Sequence, residues 1–187
     1  QDSTPMLLCI GQVGRAERDR EAFQELDYRR AFGQLAKWVA EIDDPARIPE
    51  YLGRAFRVAT SGRPGPVVLV LPEDMLVDTA QVADAAYVSN SEPWPAPPAL
   101  LALQQQLATA ERPVLLVGEG HWQNDHWQRL QEWVTQLGIP AACAFRCQDA
   151  FDNNHPHYIG DVGLGINPAL AKRLQAADLI IALGTRL

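Results

Sequence analysis

Residues Val67–Leu71 read VVLVL, five consecutive apolar side chains with no polar residue between them. A strand with that pattern must be covered on both faces, which is how the strands of parallel α/β sheets read. Leu179–Leu183 (LIIAL), Met6–Ile10 (MLLCI) and Val114–Val117 (VLLV) make the same demand. Helical stripes separate these runs, so the pattern predicts an α/β fold of parallel-sheet, Rossmann-like three-layer domains. None of the runs approaches the ~18–20 residues that a membrane helix needs. With 47% apolar residues the chain can bury a core. Sixteen Lys+Arg against 23 Asp+Glu leave a net charge of −7, with no basic run. That balance argues against nucleic acid and anionic membrane as partners.

The clearest boundary is Ser89–Pro98, which carries four prolines in ten residues. It predicts a stiff connection, with one α/β domain over residues 1–85, a linker over 86–97 and a second domain over 98–187. In the first part Met6–Ile10 reads as a buried strand, Gly11–Glu21 as a charged loop and Ala22–Ala36 as an irregular helix. Lys37–Ile42 reads as a short strand. Asp44 caps a helix whose apolar face is Ile48, Leu52, Ala55, Phe56 and Ala59, ending near Gly62. In the second part Leu100, Leu103 and Leu107 stripe one helix, and Trp127, Leu130, Val134 and Leu137 another. Pro168–Ala176 is a third helix. Val114–Val117, Pro140–Ala144 and Leu179–Leu183 give three strands. Both sheets look incomplete. Apolar strands without neighbours predict self-association into a homo-oligomer. The three cysteines, Cys9, Cys143 and Cys147, are odd in number and lack metal spacing. They read as small buried apolar residues of a reducing, cytoplasmic protein.

Glycine turns supply the candidate binding residues. Gly118–Gly120 follows a strand and precedes a helix, Gly160–Gly165 (GDVGLG) is a second glycine loop, and Gly184–Arg186 a third. At strand ends of an open α/β sheet such turns admit phosphates to the backbone, and Arg186 would be a fixed cation there. The competing reading of Gly118–Gly120 is a plain strand-to-helix turn. His155-Pro156-His157 has no accompanying carboxylate or thiol cluster and reads as a loop, so no metal site is assigned. Trp122 and Trp127, with His121 and His126, read as helix packing. Glu25 and Asp27, two apart on the expected helix, would diverge and form no acid/base pair.

Several blocks in fixed order resemble thiamine-diphosphate enzymes of the acetolactate synthase type. They are Gly11-Gln12-Val13, Ala22-Phe23-Gln24-Glu25-x-Asp27, Ala36-Lys37-Trp38, Ser61-Gly62-Arg63-Pro64-Gly65-Pro66-Val67 and Leu71-Pro72-Glu73-Asp74. Arg112-Pro113 to Gly120, Gly138-Ile139-Pro140, His155-Pro156-x-Tyr158-x-Gly160 and Ala177-Asp178-Leu179 to Leu187 continue the likeness, so it covers almost the whole chain. The chain departs from the family pattern at Asp19-Arg20-Glu21 (Gly-Thr-Asp there), at Glu73 (Lys there) and at Leu164-Gly165 (Met-His there).

The resemblance implies that residues 1–85 are the later part of a pyrimidine-binding domain and residues 98–187 the earlier part of a central domain. It implies an enzyme that decarboxylates a 2-oxo acid such as pyruvate and ligates the two-carbon unit to a second carbonyl. The cofactors implied are thiamine diphosphate with Mg2+, and FAD as an option. Phe23 and Gln24 would line the cleft at a subunit interface. Arg63, Gly118, Gly120, Gly163, Gly184 and Arg186 would match the cofactor-binding positions. The family's proton-activating glutamate and its magnesium-diphosphate block have no counterpart in these 187 residues, so this stretch alone is expected to be inactive. A flavin-free decarboxylase of the same superfamily, and a non-catalytic nucleotide-binding or assembly module, are the alternatives.

Overall fold

Val67, Val68, Leu69 and Val70 are each almost fully buried and form the middle of β3 (Pro66–Pro72). The computed structural model describes every residue except 1, 87–88, 91–92, 121, 123–124 and 186–187. The chain divides into two compact units, Gln1–Pro93 and Trp94–Leu187. In the first, β3 lies between β1 (Met6–Gln12) and β2 (Trp38–Glu41), all parallel, in the order β1-β3-β2. Leu7 pairs with Val67, and Val39 with Val68. The all-apolar run is therefore central, where both faces and both edges are covered.

β1 corrects the expectation of a buried strand with a buried Cys9. It pairs on one side only, Met6 is 48% exposed and Cys9 is exposed. Ala22–Ala36 is corrected as well. Only Tyr28–Phe32 (α1) is helical: Gln24 breaks the expected helix with φ +70°, Asp27 caps α1 through the Arg30 amide, and the helix ends at Gly33. Asp44 accepts from the Ala46 amide and starts a 3-10 turn, Pro45–Arg47, that leads into α2 (Ile48–Thr60). Ala55 and Ala59 of α2 pack on Ile42, Leu69 and Met75. The far end of α2 is closed by Lys37, whose ammonium donates to the Val58 carbonyl and, at 2.7 Å, to that of Ser61. Gly62 then turns the chain with φ +56°.

The second unit has four parallel strands in the order β6-β5-β4-β7. These are β4 (Pro113–Val117), β5 (Ala141–Ala144), β6 (Tyr158–Val162) and β7 (Leu179–Leu183). Here the three-strand expectation is corrected. β6 occupies part of what reads as a glycine loop, because Gly160 (φ +117°) and Asp161 interrupt its apolar pattern. Helices α3 (Pro97–Thr109), α4 (His126–Leu137) and α5 (Pro168–Gln175) flank the sheet. Pro97, the end of the expected linker, and Pro98 thus sit in the first turn of α3, a position that tolerates them. Leu130 and Val134 of α4 and Leu170 of α5 are buried against β4, β5 and β7. Gly138 (φ +64°) caps α4. Cys143 and Cys147 are buried, and burial pushes the Cys143 thiol up to about 11, which leaves it protonated and inert at neutral pH. No helix of the described residues is long and apolar enough to cross a membrane.

Asp178 clasps the amino-terminal end of this sheet. Its carboxylate accepts from the Glu111 amide at 2.8 Å and the Arg112 amide at 2.9 Å, while Arg112 donates to the Ala176 carbonyl at 2.7 Å. The amide of Glu111, then that of Arg112, hold the carboxyl below its ordinary value. A folded-state pKa below the unfolded one gives stability that is present above about pH 4 and is lost as pH falls through the folded value. Asp178→Asn is therefore expected to be less stable than the parent at pH 7, with the gap closing below about pH 4. Unfolding midpoints recorded from pH 7 to pH 3 check this. A gap that stays constant across that range would contradict it.

Candidate functional site

Gln12 ends β1 and is buried although polar, at 9% exposure. Its Nε2 donates to the Leu26 carbonyl at 2.9 Å, and its Oε1 accepts from the Val13 amide at 3.0 Å. One side chain thus ties together both ends of the loop between β1 and α1. Two arginines fasten the first half of that loop to the carboxyl ends of the strands. Arg15 reaches Asp74 through Nε at 2.8 Å and through its own amide at 2.9 Å, and Asp78 at 2.6 Å. The hydrogen bond to Asp74 holds that carboxyl below the usual range. Arg18 pairs with Glu41 and Asp43. Burial pushes the Glu41 carboxyl up, and Arg18 opposes that shift. Between loop and strand ends lies a cleft of about 190 Å³, lined by Gln12, Arg18, Glu25, Tyr28, Glu41 and Val70 among others.

Phe23 and Gln24 occupy the tip of this loop. The Glu25 amide donates to the Ala22 carbonyl at 3.0 Å, closing a turn in which they are the central residues. Gln24 has φ +70°, the left-handed value that the third position of a type II turn requires and that glycine or asparagine usually fills. Asp19 (φ +59°) and Glu21 (φ +55°) are left-handed too. Asp19 stands where the family pattern has glycine. The Glu25 carboxylate spans the turn, accepting from the Asp19 amide at 2.6 Å and the Ala22 amide at 3.1 Å, and these bonds, Asp19 first, lower its pKa. Phe23 is 88% exposed, so it is not ordinary core.

In the second unit the glycine turns follow β4 and β7, the adjacent strands at which the order of the sheet reverses. That is the switch point where open α/β sheets bind ligands. Gly118 and Gly184 meet there. A Cβ on Gly118 would lie 2.5 Å from Thr185 Cβ, and one on Gly184 would lie 2.6 Å from the Gly120 amide nitrogen. The glycines are thus demanded by the packing of turn on turn. The Gly118 amide donates to the Leu183 carbonyl at 2.8 Å and the Gly120 amide to the Gly118 carbonyl at 2.9 Å. The Trp122 indole donates to that same carbonyl and its ring lies 4.6 Å from Trp127. Trp122 therefore lies over the platform turn as well as packing on α4.

The other candidate positions disperse. Gly163, just past β6, sits against Phe145, the residue that follows β5. Arg63 lies in the first unit before β3, at the end of that sheet opposite the cleft, and donates to Ser3 at 3.0 Å. Arg186 and His121 lie outside the described residues. His155 receives the His157 amide and lies 3.0 Å from the Thr135 hydroxyl. Among the described residues no group of three or more His, Cys, Asp or Glu is placed to hold a metal ion. Sequence patterns gave no hint of the Arg15 and Arg18 clamps, whose partners are 59 and 25 residues away. The signal for Gln12 was a lone amide ending an apolar strand.

Residues 100–187 match the family described as thiamine pyrophosphate enzyme, central domain. Along its whole length the chain is similar to acetolactate synthases. It is 32% identical to the Mycobacterium leprae enzyme, over 99% of this chain and 30% of that one. It is 31% identical to the large subunit of acetolactate synthase isozyme 2 of Escherichia coli, over 99% of this chain and 34% of that one. A probable sulfoacetaldehyde acetyltransferase of Rhizobium meliloti is 29% identical, over 98% and 31% respectively. The chain spans about a third of the length of the curated relatives it matches.

Proposed function

We propose that the chain, which is similar to acetolactate synthases along its length and matches the thiamine pyrophosphate enzyme central domain over residues 100–187, forms a cleft loop and a ligand platform of a thiamine-diphosphate-dependent carboligase. The enzyme decarboxylates a 2-oxo acid such as pyruvate and joins the two-carbon unit to a second carbonyl compound. In this proposal residues 1–85 are the later part of the pyrimidine-binding domain and residues 98–187 the earlier part of the central domain. The working protein is a cytoplasmic dimer or tetramer. The observation that supports this reading best is the strained turn that puts Phe23 and Gln24 at the loop tip, facing outward.

Thiamine diphosphate, when bound, supplies the electron sink for decarboxylation and the carrier for the two-carbon unit. An apolar ring and a neutral amide suit its ring portion. The carboxylates of Asp19, Glu25, Asp27 and Glu41 around the cleft do not suit its diphosphate, so Mg2+ and diphosphate are assigned to no residue here. The Phe23 ring excludes water from the reacting atoms once the cleft is covered. The Gln24 amide hydrogen-bonds a substrate oxygen and adds no charge, which leaves the charge of the carboxylate to be lost on decarboxylation unopposed.

At Gly118 and Gly120 the described residues offer the phosphates of FAD no donor. The Gly118 and Gly120 amides are already spent. No step runs through a flavin.

Product analysis tests the reaction. The protein expressed from its longest natural reading frame, given pyruvate, thiamine diphosphate and Mg2+, is expected to release acetolactate. Acetaldehyde as the sole product would replace the carboligase with a decarboxylase of the same superfamily.

A further inference from the structure

We infer that Glu25 is the positioning residue that holds Phe23 and Gln24 in place, an assignment that rests on the carboligase reading.

Three residues in six, Asp19, Glu21 and Gln24, have positive φ without being glycine. Left-handed backbone is disfavoured for a residue with a Cβ and persists only where its surroundings enforce it. Glycine at position 24 would make the same turn without that cost, so the glutamine is there for its side chain. What enforces the conformation is a single carboxylate. Glu25 accepts from the Asp19 amide on one oxygen and from the Ala22 amide on the other, while its own amide closes the turn on the Ala22 carbonyl.

The rest of the loop is fixed independently, by Arg15 and Arg18 on one flank and by Gln12 on the other. Asp27 caps α1 through the Arg30 amide and so does not share the task. The clamps leave the loop anchored at its ends, and Glu25 decides where its tip points. Phe23, in contact with solvent over most of its surface, has no packing of its own to hold it.

The test compares the parent with Glu25→Gln, Glu25→Ala and Gln24→Gly in the protein from the longest reading frame. Glutamine keeps one acceptor oxygen and alanine keeps none, so losses are expected to be graded. kcat/KM is expected to fall about tenfold in Glu25→Gln and about a hundredfold in Glu25→Ala, the size of losing one and two charge-assisted bonds. The unfolding midpoint is expected to stay nearly constant, because the clamps remain. Amide hydrogen exchange at Asp19 and Ala22 is expected to speed up at least tenfold in Glu25→Ala, with or without substrate. Gln24→Gly is expected to raise the unfolding midpoint while lowering kcat/KM, since it relieves strain and removes the amide.

Unchanged exchange at both amides would overturn the holding role. Faster exchange with unchanged kcat/KM would overturn the positioning role. An activity loss that tracks the fall in unfolding midpoint would also overturn it, reducing Glu25 to a stabilising residue. If the parent protein turns over no 2-oxo acid, the carboligase reading fails and the positioning role fails with it. The exchange measurement would still decide whether Glu25 holds the turn.

Discussion

Gly184→Ala is expected to destabilise the second unit by roughly 3–4 kcal/mol, the upper range for single substitutions. Two costs combine at this position. The backbone is left-handed, φ +63°, and the added methyl would lie 2.6 Å from the Gly120 nitrogen and 2.7 Å from its Cα. Backbone atoms cannot rotate out of the way as a side-chain end can. Two further glycines separate the costs. Gly165 has φ +78° with open space around it, so Gly165→Ala carries the conformational cost alone, about 1 kcal/mol. Gly118 is not left-handed, but a methyl there would meet Thr185 Cβ at 2.5 Å and the Gly184 carbonyl oxygen at 2.6 Å. Gly118→Ala therefore carries the steric cost alone, roughly 2–3 kcal/mol. Denaturant unfolding followed through the near-UV circular dichroism of the Trp122–Trp127 pair reports on this unit. Three equal effects, or a Gly165 effect exceeding that at Gly184, would contradict this account of the platform.

Leu115→Ala is expected to cost the second unit about 3–4 kcal/mol. Leu115 is completely buried in β4, between Ala141 of β5 and Ile181 of β7 in the register of the sheet. Alanine neighbours on one side leave little side-chain bulk to slide into the vacated volume, so the cavity persists and its cost adds to the lost transfer free energy. Leu137→Ala is the control. It belongs to the same apolar stripe of α4 in the sequence but is half exposed, and it is expected to cost under about 1 kcal/mol. The same unfolding measurement compares the two, and a Leu115→Ala effect under about 1 kcal/mol would mean that β4 is not the centre of this core.

The fold was legible where chemistry is periodic. The VVLVL run could only be a covered parallel strand, and it is the central one. The Asp44-Pro45 start and the Gly62 stop framed α2 because caps act locally, through bonds spanning two to four residues. The pattern failed where side-chain-to-backbone bonds and unpaired edges override apolar spacing. Ala22–Ala36 reads as an irregular helix, yet the carboxylate of Glu25 takes the amides of Asp19 and Ala22 and the turn before it holds Gln24 in left-handed backbone. β6 escaped because a strand at the sheet edge, with Gly160 and Asp161 inside it, has no continuous apolar signature. Cys9 looked like core because MLLCI is apolar, but β1 pairs with β3 alone and turns that cysteine outward. The candidate site divides in the same way. Its glycines were visible as turn chemistry, whereas Arg15, Arg18 and Gln12 act on partners that only the folded chain brings near.

These features converge on one arrangement, in which a clamped loop presents an apolar ring and a neutral amide at the carboxyl ends of one sheet. In the proposed function this arrangement serves a thiamine-diphosphate reaction on a 2-oxo acid. The most direct test is pyruvate consumption by the protein from its longest natural reading frame, assayed with and without thiamine diphosphate after exhaustive dialysis. Turnover is expected only when the cofactor is restored, and it is expected to be lost on Phe23→Ala with Gln24→Ala. Consumption that is indifferent to the cofactor, or a protein that binds it and leaves pyruvate untouched, would contradict the account.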